Sequence, residues 1–247
     1  MSVDTKHIPN EKAIPRLSFD ETTVFNDNPE SRFALGILAR GKEVSKTHRE
    51  LFSAYLRLRA NVYIDQTDML DDSHRRVDGT EMDDDDERSV HIVAIENRVS
   101  HVAVVASMRL IEKTKLHDSI LPVEDFFGIE DIPVGGNEIS RYINRLDDRL
   151  GAAQVRNALF MTGLSYIHKA ELSPTMAVVE PKLEARLQQI GVPVRRIGEP
   201  KFVEEYNETN LGLEIDTDAF VDQFGGPAVI NTIDTTPEKF TYWGEVK

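Results

Sequence analysis

Four places in the chain hold the residues best suited to chemistry. Glu81-Met-Asp83-Asp-Asp-Asp86 is an acidic run of the form E-x-D-x-x-D. Glu138-Ile-Ser140-Arg141 joins an acid, a hydroxyl and a guanidinium in four residues. Arg59 and Tyr63 stand one helical turn apart, and Arg109 precedes Leu110 at the end of an apolar stretch. Three readings suit the acidic run. It is a solvated loop, because burying an unpaired carboxylate costs several kcal/mol. It is a calcium or magnesium site, although it lacks the glycine spacing and terminal glutamate of an EF-hand. Or it is the rim of an active site.

Other chemistries are excluded. The chain has no cysteine, so it has no disulfide, no thiolate zinc site and no sulfur on which to park an acyl group. Its seven histidines show no metal-ligand spacing. Ser140 has no Ser-His-Asp ordering around it, which argues against a nucleophile.

The elements that must position these residues follow from periodicity. Thr47-His-Arg-Glu50 has the form of a capping box, and Leu51, Tyr55, Leu58 and Val62 follow at helical spacing to about residue 63. A polar stretch over 65–88 reads as a long loop, a common home for function. Residues 89–96 and 101–110 are β-branched strands joined by a hairpin turn. A short helix at 121–127 and a strand at 138–145 come next. They are followed by an amphipathic helix at 152–170 with Val155, Leu159, Phe160, Leu164 and Ile167 inward. A strand at 175–180, a helix at 181–190 closed by Gly191, strands at 192–197 and 211–215, and a helix at 217–224 complete the pattern. Residues 31–39 read as a short helix. The expected class is α/β in the α+β sense, a mixed, mostly antiparallel sheet flanked by helices. Residues 1–45 are expected to be a tail or accessory arm, 46–206 the main domain, and 207–247 an extension packed on it.

Composition sets the surroundings. The 247 residues are 40% hydrophobic and 29% charged, enough for one real core. The net charge of -14 makes general nucleic-acid binding unfavourable. Yet residues 137–200 carry nine basic against seven acidic side chains, so a mildly basic face sits on an acidic protein. That suits a local anionic partner, such as a phosphate-bearing cofactor or an acidic carrier protein. No stretch is apolar enough for a membrane span and the N-terminus lacks a signal peptide, so a cytoplasmic protein is expected.

In its four motifs, their order and their separations, the chain resembles the acyl-homoserine-lactone synthases and the related N-acyl amino acid synthases, within the Gcn5-related N-acyltransferase superfamily. These share an Arg-x3-aromatic pair, an E-x-D-x-x-D loop, an Arg-Leu strand end and an E-x-S-R strand. The resemblance covers roughly residues 47–200. It departs at one place: the synthases carry a tryptophan about ten residues after the helix arginine, where this chain reads Gln66-Thr-Asp-Met69 and its only tryptophan is Trp243.

The resemblance implies a Gcn5-related fold that transfers an acyl chain from acyl-CoA or acyl carrier protein to the amine of a small amino-acid-like acceptor. In the implied picture Asp83 or Asp86 pairs with Arg59, Arg109 or Arg141, since arginine and carboxylate can meet bidentately. Glu81 faces the cleft, and Tyr63 belongs to the acceptor site. The attacking amine must lose a proton, for which Glu138 is the first candidate base and Glu81 the second. Ser140 assists backbone N–H groups at the oxyanion. The segment Asp147-Asp-Arg149-Leu-Gly151-Ala152 occupies the place of the pyrophosphate loop, with Arg145, Arg149, Arg156 and Arg186 as candidate phosphopantetheine or carrier contacts. No tightly bound cofactor is expected; acyl-CoA or acyl-phosphopantetheine is a co-substrate. The alternative is a non-catalytic acyltransferase-like module that binds a ligand or a protein.

Overall fold

The computed structural model describes residues 31–39, 46–97, 102–114, 120–130, 132–223 and 240–246. Eight strands form one sheet in the order β6-β7-β5-β4-β3-β2-β1-β8. They are β1 (Ser31–Ala39), β2 (Ser89–Asn97), β3 (Val102–Glu112), β4 (Asn137–Asn144), β5 (Thr175–Val179), β6 (Val194–Val203), β7 (Glu208–Ile215) and β8 (Phe240–Val246). Only β4 and β5 run parallel; all other neighbours are antiparallel. The helices are α1 (Lys46–Ala60), α2 (Pro122–Phe127), α3 (Arg149–Lys169), α4 (Pro181–Gln189) and α5 (Thr217–Gln223).

The expected helices and strands from α1 onward stand within a few residues of their expected bounds, apart from β6 and β7, which run longer. The segment 31–39 does not: it is a strand, not a helix. It lies between β2 and β8, so the sheet extends beyond residues 46–206 on both sides. The expected turn after β2 falls largely on residues outside those described.

The strands β1 and β2 are buried on both faces, and strand alternation shows how. Phe33, Leu35 and Ile37 of β1 with Ile92 and Ala94 of β2 join Val155, Leu159, Phe160 and Leu164 of α3. The alternate residues, Ala34 and Leu38 with Val93 and Ile95, meet Tyr55 and Leu56 of α1 on the opposite face. A strand covered on both sides reads as a continuous apolar run, as β2 does. The helix–sheet approach on the α3 side is close. A Cβ added at Gly163 would lie 2.9 Å from Met108 Sδ. Among the described residues no helix is long and apolar enough to cross a membrane.

Two features position the site. The β4–β5 pairing lasts only from Asn137↔Thr175 to Ile139↔Ala177, after which β4 continues without a partner on β5. On its other side β4 carries one extra residue relative to β3 between Ser140 and Ile143. That bulge contains Arg141, whose φ of 51° lies in the left-handed region. A bulge re-aims side chains beside it, and such strained backbone recurs at functional sites.

Candidate active site

The acidic run is neither a solvated loop nor a cation cage; it is an arginine lock. Asp83 and Asp86 first organise each other. The Asp86 backbone N–H donates to Asp83 Oδ1 at 3.2 Å, and the Asp83 N–H donates to Asp86 Oδ2 at 2.9 Å, closing a capping box on the short turn Asp84–Arg88. Their remaining lone pairs meet three arginines. Arg59 Nη1 donates to Asp86 Oδ1 at 2.5 Å, and Arg109 Nη1 reaches the same oxygen at 3.0 Å. Arg109 Nη1 also donates to Asp83 Oδ1, while Arg141 Nη2 donates to Asp83 Oδ2 at 3.0 Å. Arg59 Nε donates to Glu81 Oε2. Three cations therefore face three anions from four segments.

Every arginine in this lock is at most 8% exposed, and Glu81 and Asp86 are buried as deeply. Burial opposes ionisation of Asp86, but Arg59 and Arg109 hold its carboxyl well below the usual range. Asp83 is likewise lowered against its burial, chiefly by Arg109 and Arg141. Behind the lock, Arg59 Nη1 donates to Tyr55 Oη at 3.1 Å, and Tyr55 Oη lies 3.2 Å from His91 Nδ1. The fully buried His91, packed edge-on against Phe52, has its pKa pushed down to about 3 by desolvation. His91 therefore stays neutral in the fold but protonates in the unfolded chain below about pH 6.5. The contribution of this one residue to stability should therefore fall as pH drops from there, by about 2 kcal/mol at pH 5. The aspartates add to the loss only near and below pH 4, because their folded pKa values are depressed. Thermal unfolding followed from pH 7.5 to 5 checks this. The difference between this chain and a His91→Asn chain, which has no proton to gain, isolates the histidine from buried Glu138, whose raised pKa acts in the opposite sense in both: the unaltered chain should lose stability relative to the variant as pH falls from 6.5 to 5.

In front of the lock a cavity of about 520 Å³ opens at the splay of β4 and β5. Glu138, Ser140 and Arg141 line one side, and Tyr142, Phe160, Val178, Val179 and Leu187 supply an apolar wall. Tyr63 enters from a π-helical turn, Asn61–Gln66, that continues α1, and its hydroxyl donates to the Tyr142 carbonyl at 3.2 Å. Glu138 Oε2 accepts the Val123 N–H at 2.8 Å. Burial pushes the Glu138 carboxyl up to about 8 despite that bond and the nearby arginines. Ser140 Oγ accepts from Arg109 Nε at 2.9 Å, so its own hydrogen is available to a ligand.

Of the expected site residues, the structure brings Tyr63, Glu138, Ser140 and Arg141 to one cavity, with Arg59, Asp83, Asp86 and Arg109 immediately behind. Glu81 is corrected. It does not face the cleft: it is 1% exposed, bound to Arg59 and absent from the cavity wall, so it is poorly placed to take a proton from a substrate. The turn before α3 is also corrected as an amide cradle. Asp148 caps the helix: the Gly151 N–H donates to Asp148 Oδ1 at 2.6 Å and the Ala152 N–H to the Asp148 carbonyl at 2.9 Å. Arg32 holds that carboxylate at 2.8 Å. Arg145 and Arg149 are exposed beside it. Sequence reading misses Tyr206, which lines the cavity from the β6–β7 hairpin; nothing local in the sequence marks it.

A mostly antiparallel sheet with one parallel pair splayed over a buried acid is the fold of the Gcn5-related N-acyltransferases. Solved structures agree. The chain is similar to the CoA-dependent acyl-homoserine lactone synthase BjaI, solved with SAM and isopentyl-CoA. That match has 22% identity and a TM-score of 0.61, and covers 83% of this chain and 95% of that one. It is similar to TofI, solved in a ternary complex with an inhibitor and MTA, at 17% identity and a TM-score of 0.59, covering 79% and 98%. It is similar to FeeM, an N-acyl amino acid synthase from uncultured soil microbes, at 13% identity and a TM-score of 0.50, covering 83% and 99%. A comparison with curated proteins gives no match. Residues 43–222 match the autoinducer synthase family. The chain belongs to that family, and it is an N-acyltransferase, an enzyme that moves an acyl group onto an amine.

Proposed function

We propose that the chain joins an acyl group, carried as a thioester on CoA or on the phosphopantetheine of an acyl carrier protein, to the amino group of a small amino-acid-like acceptor. The observation that carries this reading is the cavity at the β4–β5 splay, where a buried acid, a hydroxyl and a guanidinium face an apolar wall. The amine nitrogen attacks the thioester carbon while Glu138 takes the amine's proton. The C–N bond forms, the C–S bond breaks, and the thiolate leaves and is protonated. A carboxyl with a pKa near 8 suits an α-amino group, whose own pKa is near 8. Ser140 donates toward the developing oxyanion. Arg141 binds the acceptor. Arg59, Arg109, Asp83 and Asp86 hold Arg141 and Ser140 in place rather than touching substrate.

For the donor, the Asp148 cap leaves phosphate recognition to side chains, and the exposed Arg145, Arg149 and Arg186 are the candidates. Charge reversal at Arg149 should raise the donor KM by about tenfold, with a smaller rise at high salt, because the contact is exposed and screened. Thiol release from acyl-CoA and from acyl carrier protein, each with the same acceptor, measures both the effect and the preferred donor. An unchanged KM for both donors would place the phosphate contact elsewhere.

A further inference from the structure

Arg141 lies against two aromatic rings, only one of which belongs to the four motifs. Its guanidinium lies 5.4 Å from the Tyr63 ring and 5.7 Å from the Tyr206 ring. Tyr63 is part of the Arg-x3-aromatic pair; Tyr206 is not part of any motif. Tyr206 ends the short turn Glu204–Tyr206 between β6 and β7, followed by Asn207 in the left-handed conformation at φ 48°. Its ring is fixed from behind by Phe126 of α2, edge-on at 5.3 Å. The same hairpin is tied down by Lys201, whose Nζ donates to the Phe126 carbonyl at 2.6 Å. Tyr206 also packs in one apolar cluster with Tyr63, Ile64 and Met69, and Tyr63, Met69 and Tyr206 all line the cavity.

This grouping puts the hairpin's aromatic ring on the same cavity wall as Tyr63 and Met69. Arg141 Nε is buried and makes no hydrogen bond among the described residues, so this guanidinium is not fully committed to the lock. A cation in contact with two aromatic rings has its position fixed by them.

We propose that Tyr206 is a specificity-determining residue of the acceptor site, supplying an aromatic wall from the β6–β7 hairpin and holding Arg141 toward the acceptor. The proposal rests on the acyl-transfer reading above. It makes the hairpin part of the active site and assigns it to the acceptor, not to the thioester donor.

The test is steady-state kinetics with octanoyl-CoA or octanoyl carrier protein as donor, and the free amino acids and S-adenosylmethionine as acceptors. It compares the unaltered chain, Tyr206→Phe, Tyr206→Ala, and Tyr206→Ala combined with Met69→Trp. Tyr206→Ala should raise the acceptor KM ~10-fold or more while the donor KM moves less than ~3-fold. Tyr206→Phe, which keeps the ring face, should recover most of the loss, and Met69→Trp should restore part of it by placing an aromatic ring on the same cavity wall. Thermal unfolding of each variant separates this split from general loosening. An unchanged acceptor KM in Tyr206→Ala, or equal rises in both KM values, would overturn the inference and leave acyl transfer standing. No amide product from the unaltered chain would overturn the acyl-transfer reading and the inference with it.

Discussion

Glu138→Gln should nearly abolish acyl transfer, by about 100- to 10,000-fold in kcat, because no positioned group is left to take the amine's proton. The fold should survive, since a glutamine can still accept the Val123 N–H through its carbonyl oxygen. Stability should in fact rise. The carboxyl has a pKa of about 8 in the fold against 4.5 for an ordinary glutamate, so at pH 7 folding requires it to take up a proton. A raised carboxyl pKa penalises the native state above pH 4.5, and the penalty grows until the pH passes 8. Removing it should stabilise the protein by roughly 1–3 kcal/mol at pH 7. The unaltered enzyme should become more active as pH rises through about 8, where Glu138 becomes a base. Urea unfolding and a pH–rate profile on the two chains check all three outcomes. A variant that loses activity together with stability would show that Glu138 is a structural partner and not the base.

Arg59→Ala has the largest expected effect on stability. Arg59 is fully buried and pairs with Glu81 and Asp86, both at most 1% exposed. Truncating it removes the hydrogen-bonded cation of buried Glu81 and leaves Asp86 to Arg109 alone, which typically costs about 3–5 kcal/mol. That is a large part of the total stability of an ordinary domain, on the order of 5–15 kcal/mol. The chain should therefore unfold at much lower urea concentration, or accumulate poorly. Arg59→Lys should fall between the two, since an ammonium cannot serve Glu81, Asp86 and Tyr55 through a planar fork. A midpoint within a few tenths molar of the unaltered chain would mean that water or the other two arginines compensate.

The contrast between these residues shows what the sequence makes legible. The pairing of aspartates with arginines is legible only through the family resemblance that the E-x-D-x-x-D and E-x-S-R motifs carry; the acidic run by itself reads as well as a solvated loop. The partners within the lock are less legible. The motif puts Glu81 at the cleft, yet it lies under Arg59, and which side of an arginine an acid approaches depends on tertiary geometry. The strand at Ser31–Ala39 escapes for a related reason. With Phe33, Leu35 and Ile37 on one face and Ala34 and Leu38 on the other, a doubly buried strand has no alternation to read. The Asp148 cap is readable, since an aspartate three residues before a helical glycine is a cap signal. Tyr206 is not: the chain separates it widely from Arg141, and only the β6–β7 hairpin brings them together.

The most direct test of the central claim is mass spectrometry of a defined reaction. The purified chain would be incubated with an acyl-CoA or acyl carrier protein and a mixture of amino acids and S-adenosylmethionine, beside the Glu138→Gln chain. The account predicts a new acyl-amide, formed in step with free thiol and absent from the variant; its fragments would name the acceptor. Equal amounts of the same amide from both chains would contradict the assignment of the base. Thiol release without any amide would contradict transfer to an amine in this cavity.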